Sequence, residues 1–251
     1  MIEVSSSNGI TTLRLAHGKA SALDLELVEA LELAIGEVAQ SDARAVVITG
    51  TGAIFSAGVD LFRLTHEGRP YIERFLPALS RMALALFTLP KPLITSINGH
   101  AIAGGGIIGM MGDMRLMAYG NGRMGVPELL VGVAFPPAIV EIIRHCAGTS
   151  AQHLMFTGRT YLADDAQRYG MIDLPVPAEE LAQRTAEVAE QLASLPPRAF
   201  ALLKRQLREE AVHRAKRYMH EFESDVAELW WDPATIDAVR VYLAKTVKRQ
   251  Q

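Results

Sequence analysis

Between Leu25 and Val38, apolar residues recur at Leu27, Leu31 and Ala34 or Ile35, while Glu26, Glu29, Glu32 and Glu37 fall off that stripe. A spacing of three to four residues predicts a helix with one buried face. Asp24 stands where an N-cap would accept the first free amides. Residues 45–49 and 93–97 are short apolar runs bounded by turn residues, as expected of strands covered on both faces. Residues 9–15, behind a Ser-Asn-Gly turn, read as half of a hairpin. Residues 74–89 have a helical period and stop before Pro90, and 113–118 read as a third buried strand. From about residue 136 the period is helical almost throughout: 138–146, 163–169 closed by Gly170, 179–195 ended by Pro196-Pro197, and finally 233–248. Between these, 198–217 and 213–230 predict two helices whose junction the pattern does not fix. The expected architecture is α/β: a strand–helix repeat over 1–195 and a helical region over 196–251.

Composition narrows the function classes. At 251 residues, 49% hydrophobic and 21% charged, the chain can bury roughly 70–75% of its unfolded surface. A net charge of −3 argues against a nucleic-acid partner. The single cysteine, Cys146, excludes an intramolecular disulfide and fits a reducing, cytoplasmic setting. Met1-Ile2-Glu3-Val4 places no basic region before an apolar run, so no secretory signal is expected. The apolar stretch 93–111 is broken by Ser96, Asn98, His100 and a glycine triplet, so no membrane span is expected either.

Three segments carry candidate chemistry. Gly52-Ala53-Ile54-Phe55-Ser56-Ala57-Gly58-Val59-Asp60-Leu61 follows a predicted strand, and its small residues let a ligand approach the backbone. Ile97-Asn98-Gly99-His100-Ala101-Ile102-Ala103-Gly104-Gly105-Gly106 follows another and opens a short helix whose first amides are free to face an anion. Neither is a P-loop or a dinucleotide fingerprint. Taken singly, each reads equally well as a tight turn with close helix packing. Met124-Gly125-Val126-Pro127-Glu128-Leu129-Leu130-Val131-Gly132 places one acid in an apolar run. Desolvation would raise its pKa toward the range a general base needs, unless Glu128 merely caps a turn at the surface.

Together, in order and in register over nearly the whole chain, these segments resemble the enoyl-CoA hydratase/isomerase, or crotonase, superfamily. The resemblance implies a spiral of ββα turns, with C-terminal helices that contribute to homotrimers, often paired into hexamers. It implies an acyl-CoA substrate whose thioester oxygen lies between the Val59 and Gly104 amides, with Gly105 beside them, and Glu128 as the proton-transfer residue. The carbonyls of Ala57 and Leu61, with the loop at Lys19 and Ala20, would meet the adenine end of coenzyme A. No metal or redox cofactor is implied, coenzyme A being part of the substrate. Asp60 is either a substrate contact or the cap of the segment that follows it.

The family's hydratases use a second glutamate, and its position is Ile107 here. Isoleucine neither accepts a proton nor holds water, so the chain looks more like the Δ3,Δ2-enoyl-CoA isomerases. Arg115 and the helix at 233–248 point the same way. The alternatives are a hydratase or another acyl-CoA lyase or hydrolase, with Glu67 or Glu73 supplying the second acid, and a non-catalytic acyl-CoA-binding protein. Phe62, Leu64 and Phe75, with the turn Phe135-Pro136-Pro137, would line an apolar acyl pocket. Bland readings stand for the rest: His100 as a strand-end polar residue, Cys146 as core, Trp230 and Trp231 as packing, and Lys204, Arg205 and Arg208 as either contacts for coenzyme A phosphates or a solvated face.

Overall fold

Asn8 and Gly9 both take positive φ, 53° and 75°, as a two-residue hairpin turn requires. They join β1 (Ile2–Ser7) to β2 (Ile10–Leu15) in antiparallel register. The computed structural model that shows this describes residues 1–248, and the side chains of residues 1–245. Asp24 caps α1 (Leu25–Gln40), its carboxylate accepting from the Leu27 amide.

From there the chain turns as a spiral, placing successive strands in two sheets and then a helix. β3 (Ala45–Thr49) and β4 (Ile54–Ser56) are followed by α2 (Leu61–Glu67) and α3 (Arg69–Thr88). β5 (Leu93–Ile97) and β6 (His100–Ile102) are followed by α4 (Gly104–Met110). β7 (Met114–Ala118) and β8 (Met124–Gly125) lead to α5 (Pro137–Ala147) and α6 (Ala151–Thr157). β9 (Thr160–Tyr161), α7 (Ala163–Arg168), β10 (Leu174–Val176) and α8 (Leu181–Ala193) follow. Two C-terminal helices complete the described chain, α9 (Pro197–Trp231) and α10 (Pro233–Lys248). The six-stranded sheet has the order β1-β2-β3-β5-β7-β10 and the four-stranded sheet the order β4-β6-β8-β9. Only the end strands β1 and β9 pair antiparallel.

The continuous apolar runs of β3 and β5 follow from burial on both faces. Val46 and Ile48 turn into the main core with α1 and α3, while Ala45, Val47 and Ile94 turn toward Leu181 and Ala189 of α8. A buried hydrogen bond of 2.8 Å from Thr185 to Ser96 pins α8 to β5.

Three expectations change. The helix expected from residue 74 begins at Arg69, with Gly68 as its cap and Pro70 in the first turn, and it carries Pro77 inside. The region after residue 136 also contributes β9 and β10, strands too short to show a period. The helices expected at 198–217 and 213–230 are one helix, α9. Its buried stripe is Lys204, Arg208, Ala211 and Ala215, so hydrophobic periodicity could not reveal its continuity.

Lys204 and Arg208 therefore lie neither on a solvated face nor on one open to phosphates. Both are buried against Asp113, at 2.6 and 2.7 Å, and Asp113 also accepts from the Leu93 amide. Burial pushes the Lys204 ammonium down to about 8 despite its carboxylate partner. On α5, the fully buried Glu141 accepts from Arg144 and from Arg214 of α9. Arg115 makes a two-point pair with Asp173 and donates to the carbonyls of Cys146 and Gly170. Burial pushes the Cys146 thiol up to about 11; the residue is half-buried, packed against the edge of the core it was expected to join.

The packing makes a paired prediction. A Cβ on Gly105 would sit 2.3 Å from the Ser56 carbonyl oxygen, whereas one on Gly36, inside α1, meets nothing within 4 Å. Gly105→Ala should cost about 1–3 kcal/mol or more, and Gly36→Ala should add about 0.5–1 kcal/mol. Urea unfolding should show opposite shifts of midpoint at an unchanged slope.

Candidate active site

The two glycine turns meet because glycine lets them. Gly58 has φ of 81°, and a Cβ there would lie 2.5 Å from the Ile102 oxygen, 2.7 Å from the Ala103 Cβ and 3.0 Å from the Gly104 nitrogen. The loop after β4 thus rests directly on the start of α4. Ser56 locks it, its hydroxyl donating to the Ser21 carbonyl and accepting from the Gly58 amide.

Hydrogen bonds on either side of Val59 leave its amide uncommitted. Leu23 donates to the Gly58 carbonyl at 2.8 Å, and Asp60 donates to the Leu23 carbonyl at 3.1 Å. Among the described residues the Val59 amide has no acceptor, and neither has that of Gly104, the first residue of α4. Ala103, immediately before it, is held at φ 51° and ψ −126°. A non-glycine residue there carries about 1–3 kcal/mol of strain. The Ala103 amide donates to the Gly125 carbonyl and its carbonyl accepts from Ile107, which holds the turn in place. Sequence reasoning missed this strained residue, since nothing distinguishes Ala103 from its neighbours as a letter.

Glu128 opens a 3-10 turn, Glu128–Val131, that ends at Gly132 with φ of 80°. Its carbonyl accepts from the Val133 amide at 3.0 Å. The residue is 8% exposed, and its Oε2 is buried without a hydrogen-bond partner among the described residues. Desolvation raises the carboxyl to about 8. The surface-cap reading of Glu128 does not describe this chain.

Ala57, Val59, Leu61, Gly104, Ile107 and Glu128 line one cavity of about 100 Å³. Leu79, Met82, Ile108, Met111, Val131, Val133, Phe135, Pro136, Ile139, Trp230 and Tyr242 complete most of its wall. Glu128 is the one carboxylate among the lining residues. The Trp230 N–H donates to the Ala134 carbonyl at 2.7 Å, and Tyr242 stands at the rim, 38% exposed.

Several sequence candidates lie elsewhere. Of the expected acyl-pocket residues, Phe135 and Pro136 face the cavity. Phe62 is on the surface, and Leu64 and Phe75 are buried in the core outside the lining. Met82, Met111 and Ile139 line the cavity instead, from α3, the end of α4 and α5, and no local motif marks them. Trp230 packs near Phe75, as expected of a core residue, but it also faces the cavity; Trp231 lies under the Arg69 guanidinium. Glu67 and Glu73 are exposed and paired with Arg63 and Arg69, so neither supplies a second acid to the cavity. Asp60 accepts from the Arg63 amide as the cap of α2. Gly105 packs behind the wall on Ser56. Ala20 accepts from the Ala57 amide, which lays its loop along the first turn, and Lys19 is exposed on that loop. His100 accepts from the Arg123 amide, away from the cavity. No group of three or more potential metal ligands occurs among the described residues, and no described helix is long and apolar enough to cross a membrane.

Known proteins share this fold. The human mitochondrial Δ3,Δ2-enoyl-CoA isomerase superposes with a TM-score of 0.92 over all of this chain and 99% of its own, at 20% identity. A Mycobacterium tuberculosis protein, described in one solved structure as a probable enoyl-CoA hydratase and in another as an enoyl-CoA isomerase, is 28% identical. Its two structures give TM-scores of 0.83 and 0.79, covering 90% and 96% of this chain and 96% and 97% of theirs. A short-chain-enoyl-CoA hydratase of Clostridium acetobutylicum is 32% identical over 73% of this chain and 71% of its own. A putative enoyl-CoA hydratase of Thermus thermophilus is 32% identical over 64% of this chain, and the matched stretch is 64% of that relative's length. The family model for enoyl-CoA hydratase/isomerase matches residues 5–238, and with the fold in agreement, this chain belongs to the enoyl-CoA hydratase/isomerase family.

Proposed function

We propose that the protein shifts the double bond of a 3-enoyl-CoA to the 2-position, with Glu128 moving the proton. The observation that carries this reading is a lone buried carboxylate, its Oε2 without a hydrogen-bond partner among the described residues, in a mostly apolar cavity that is also lined by Val59 and Gly104, whose backbone amides are uncommitted.

The steps follow from those groups. Glu128 takes a proton from C2 of the acyl chain, and negative charge spreads from C2 through the double bond and onto the thioester oxygen. The Val59 and Gly104 amides donate to that oxygen as its charge develops, and loss of one such donor typically costs about 3–4 kcal/mol. The protonated Glu128 then returns the proton to C4. One acid serves both transfers, so the reaction draws on no second acid, metal or redox cofactor.

Hydration is the second reading, favoured by the name of the Clostridium relative. It asks the cavity to hold and activate a water. A buried water needs two to four polar partners, and at the position of the hydratases' second glutamate this wall offers Ile107. The apolar surroundings also keep the Glu128 pKa high, which makes the carboxylate a stronger base.

Exposed Leu202, Leu203 and Leu207 along α9 support a homotrimer or hexamer, as the resemblance implies. Sedimentation of the purified chain should give a mass three or six times 27.3 kDa.

A paired assay tests the reaction. The protein should convert 3-hexenoyl-CoA and hydrate crotonyl-CoA poorly, and Glu128→Gln should abolish the conversion. Efficient crotonyl-CoA hydration would replace the isomerase reading by the hydratase one.

The pH dependence has a definite sign. Only ionised Glu128 can act as the base, so kcat/KM should rise with pH toward a plateau above about 8. Stability should move the other way. The folded chain holds the Glu128 proton between the ordinary carboxylate value of 4.5 and about 8, a window in which the unfolded chain has released it. Glu128 therefore makes the fold lose stability as pH rises through that window, by at most about 1.4 kcal/mol per pH unit. Glu128→Gln should remove this loss, so its stability advantage over wild type should grow from pH 5 to pH 8.

A further inference from the structure

Leu23 touches both turns that carry an uncommitted amide. Its backbone forms a parallel bridge with Val59: the Leu23 amide donates to the Gly58 carbonyl at 2.8 Å, and the Asp60 amide donates to the Leu23 carbonyl at 3.1 Å. Its side chain lies against the other turn, where a Cβ on Gly104 would come within 2.6 Å of Leu23 Cδ1. Leu23 is fully buried, so displacing it would move the first donor and loosen the packing behind the second. The preceding residues serve the same turn. The Ala57 amide donates to the Ala20 carbonyl at 3.0 Å, and the Ser56 hydroxyl donates to the Ser21 carbonyl at 2.7 Å. Residues 20–23 are the template on which the first turn is laid.

This template lies between β2 and α1, and it is strained. Ser21 takes φ of 44°, a region a serine occupies only when its surroundings hold it there. The Ser21 amide donates to the His17 carbonyl at 2.8 Å, and the His17 amide donates to the Ser21 hydroxyl oxygen at 3.3 Å. Across the open side of the loop, His17 Nε2–H donates to Asp24 Oδ2 at 2.6 Å. Asp24 is itself well anchored. Its Oδ1 caps α1 by accepting from the Leu27 amide at 2.8 Å, and the next amide, that of Leu25, donates to the hydroxyl of the buried Tyr71 on α3 at 3.0 Å. The loop that starts at His17 is thus closed by the side chain of His17 on residue 24, with Leu23 inside the closure. The helix cap uses the other carboxylate oxygen, and the His17 side chain is 27% exposed and outside the acyl cavity. Neither α1 nor the core therefore depends on this bond.

We infer that the His17–Asp24 bond positions both backbone donors: it closes the 17–24 loop and holds Leu23 where it sets the Val59 amide and packs behind Gly104. His17 and Asp24 are positioning residues that act through Leu23. The inference rests on the proposed placement of the thioester oxygen between those two amides.

Three variants of the full-length protein test it. His17→Ala removes the bond. Asp24→Ser removes it and keeps a capping hydroxyl, so α1 is retained. His17→Gln supplies an amide N–H donor in place of the ring N–H. In conversion of 3-hexenoyl-CoA, His17→Ala and Asp24→Ser should lower kcat about tenfold, a part of the roughly 10²–10³-fold lost when an oxyanion donor is removed outright. KM should stay within about twofold of wild type, as for an interaction made in the transition state, and His17→Gln should recover most of kcat. A second readout is independent of turnover. Isotope-edited infrared spectra of bound butyryl-CoA, labelled at its carbonyl carbon, report hydrogen bonding to the thioester oxygen. The carbonyl stretch should lie below its free value in wild type and in His17→Gln, and return toward it in His17→Ala and Asp24→Ser. Wild-type kcat and an unmoved stretch in both disrupting variants would overturn the inference. A rise in KM alone would assign the loop to coenzyme A binding and overturn it equally. Absence of 3-hexenoyl-CoA turnover, with the stretch responding as described, would remove the isomerase reading and leave the positioning role standing.

Discussion

Everything at the site depends on two stretches of backbone lying closer together than side chains permit. Gly58 rests on Ile102 and Ala103, and Gly105 rests on Ser56. These contacts, with the bond from Ala103 to Gly125, fix β4, β8 and the start of α4 relative to one another. The spiral supplies the approach, since β4, β6 and β8 are neighbours in the smaller sheet while their partners β3, β5 and β7 are neighbours in the larger one. Close packing and free amides are therefore not competing explanations of the glycines. Because the loops are pressed together at Gly58, the Val59 and Gly104 amides come to line a single cavity.

The acid depends on that same arrangement from the other side. Glu128 leaves β8 through Pro127 and a short turn, and β8 is positioned by its pairing with β6. The wall around it comes from α3, α4, α5 and the C-terminal helices, and apart from Trp230 and Tyr242 the side chains these helices bring to it are apolar. A carboxylate in such a place is costly to ionise, and the cost is what makes it a strong base. A second polar residue in the wall would lower that cost and admit water. On the proposed reading, Ile107 in place of an acid would act twice, by removing a partner for water and by keeping the surroundings of Glu128 apolar.

Much of this was legible in the sequence, for specific reasons. Strands covered on both faces are unbroken apolar runs, so β3 and β5 were readable from their letters, and α1 was readable from its stripe and its Asp24 cap. The three motif segments depend on residue identity at fixed positions, so they survive in the letters and together point to one family. What could not be read is whatever depends on distant elements meeting. β8, β9 and β10 are two or three residues long and exist through their neighbours. The continuity of α9 was hidden because its buried face carries Lys204 and Arg208, whose partner Asp113 lies about ninety residues earlier. Phe62 and Phe75 were reasonable pocket candidates by type, but one faces solvent and the other the core, while Met82 and Ile139 reach the cavity from helices with no motif.

The Asp113 network shows how a structural device can shape a substrate site without touching substrate. Asp113 follows the second glycine turn closely in sequence, and its two cations arrive from α9. Breaking a buried pair by removing one partner typically costs about 3–5 kcal/mol, so α9 cannot easily slide along its stripe. That immobility carries through to the far end of the same helix, where Trp230 is hydrogen-bonded to Ala134 and closes part of the cavity wall. It also backs Met111 with charge rather than with deformable hydrocarbon.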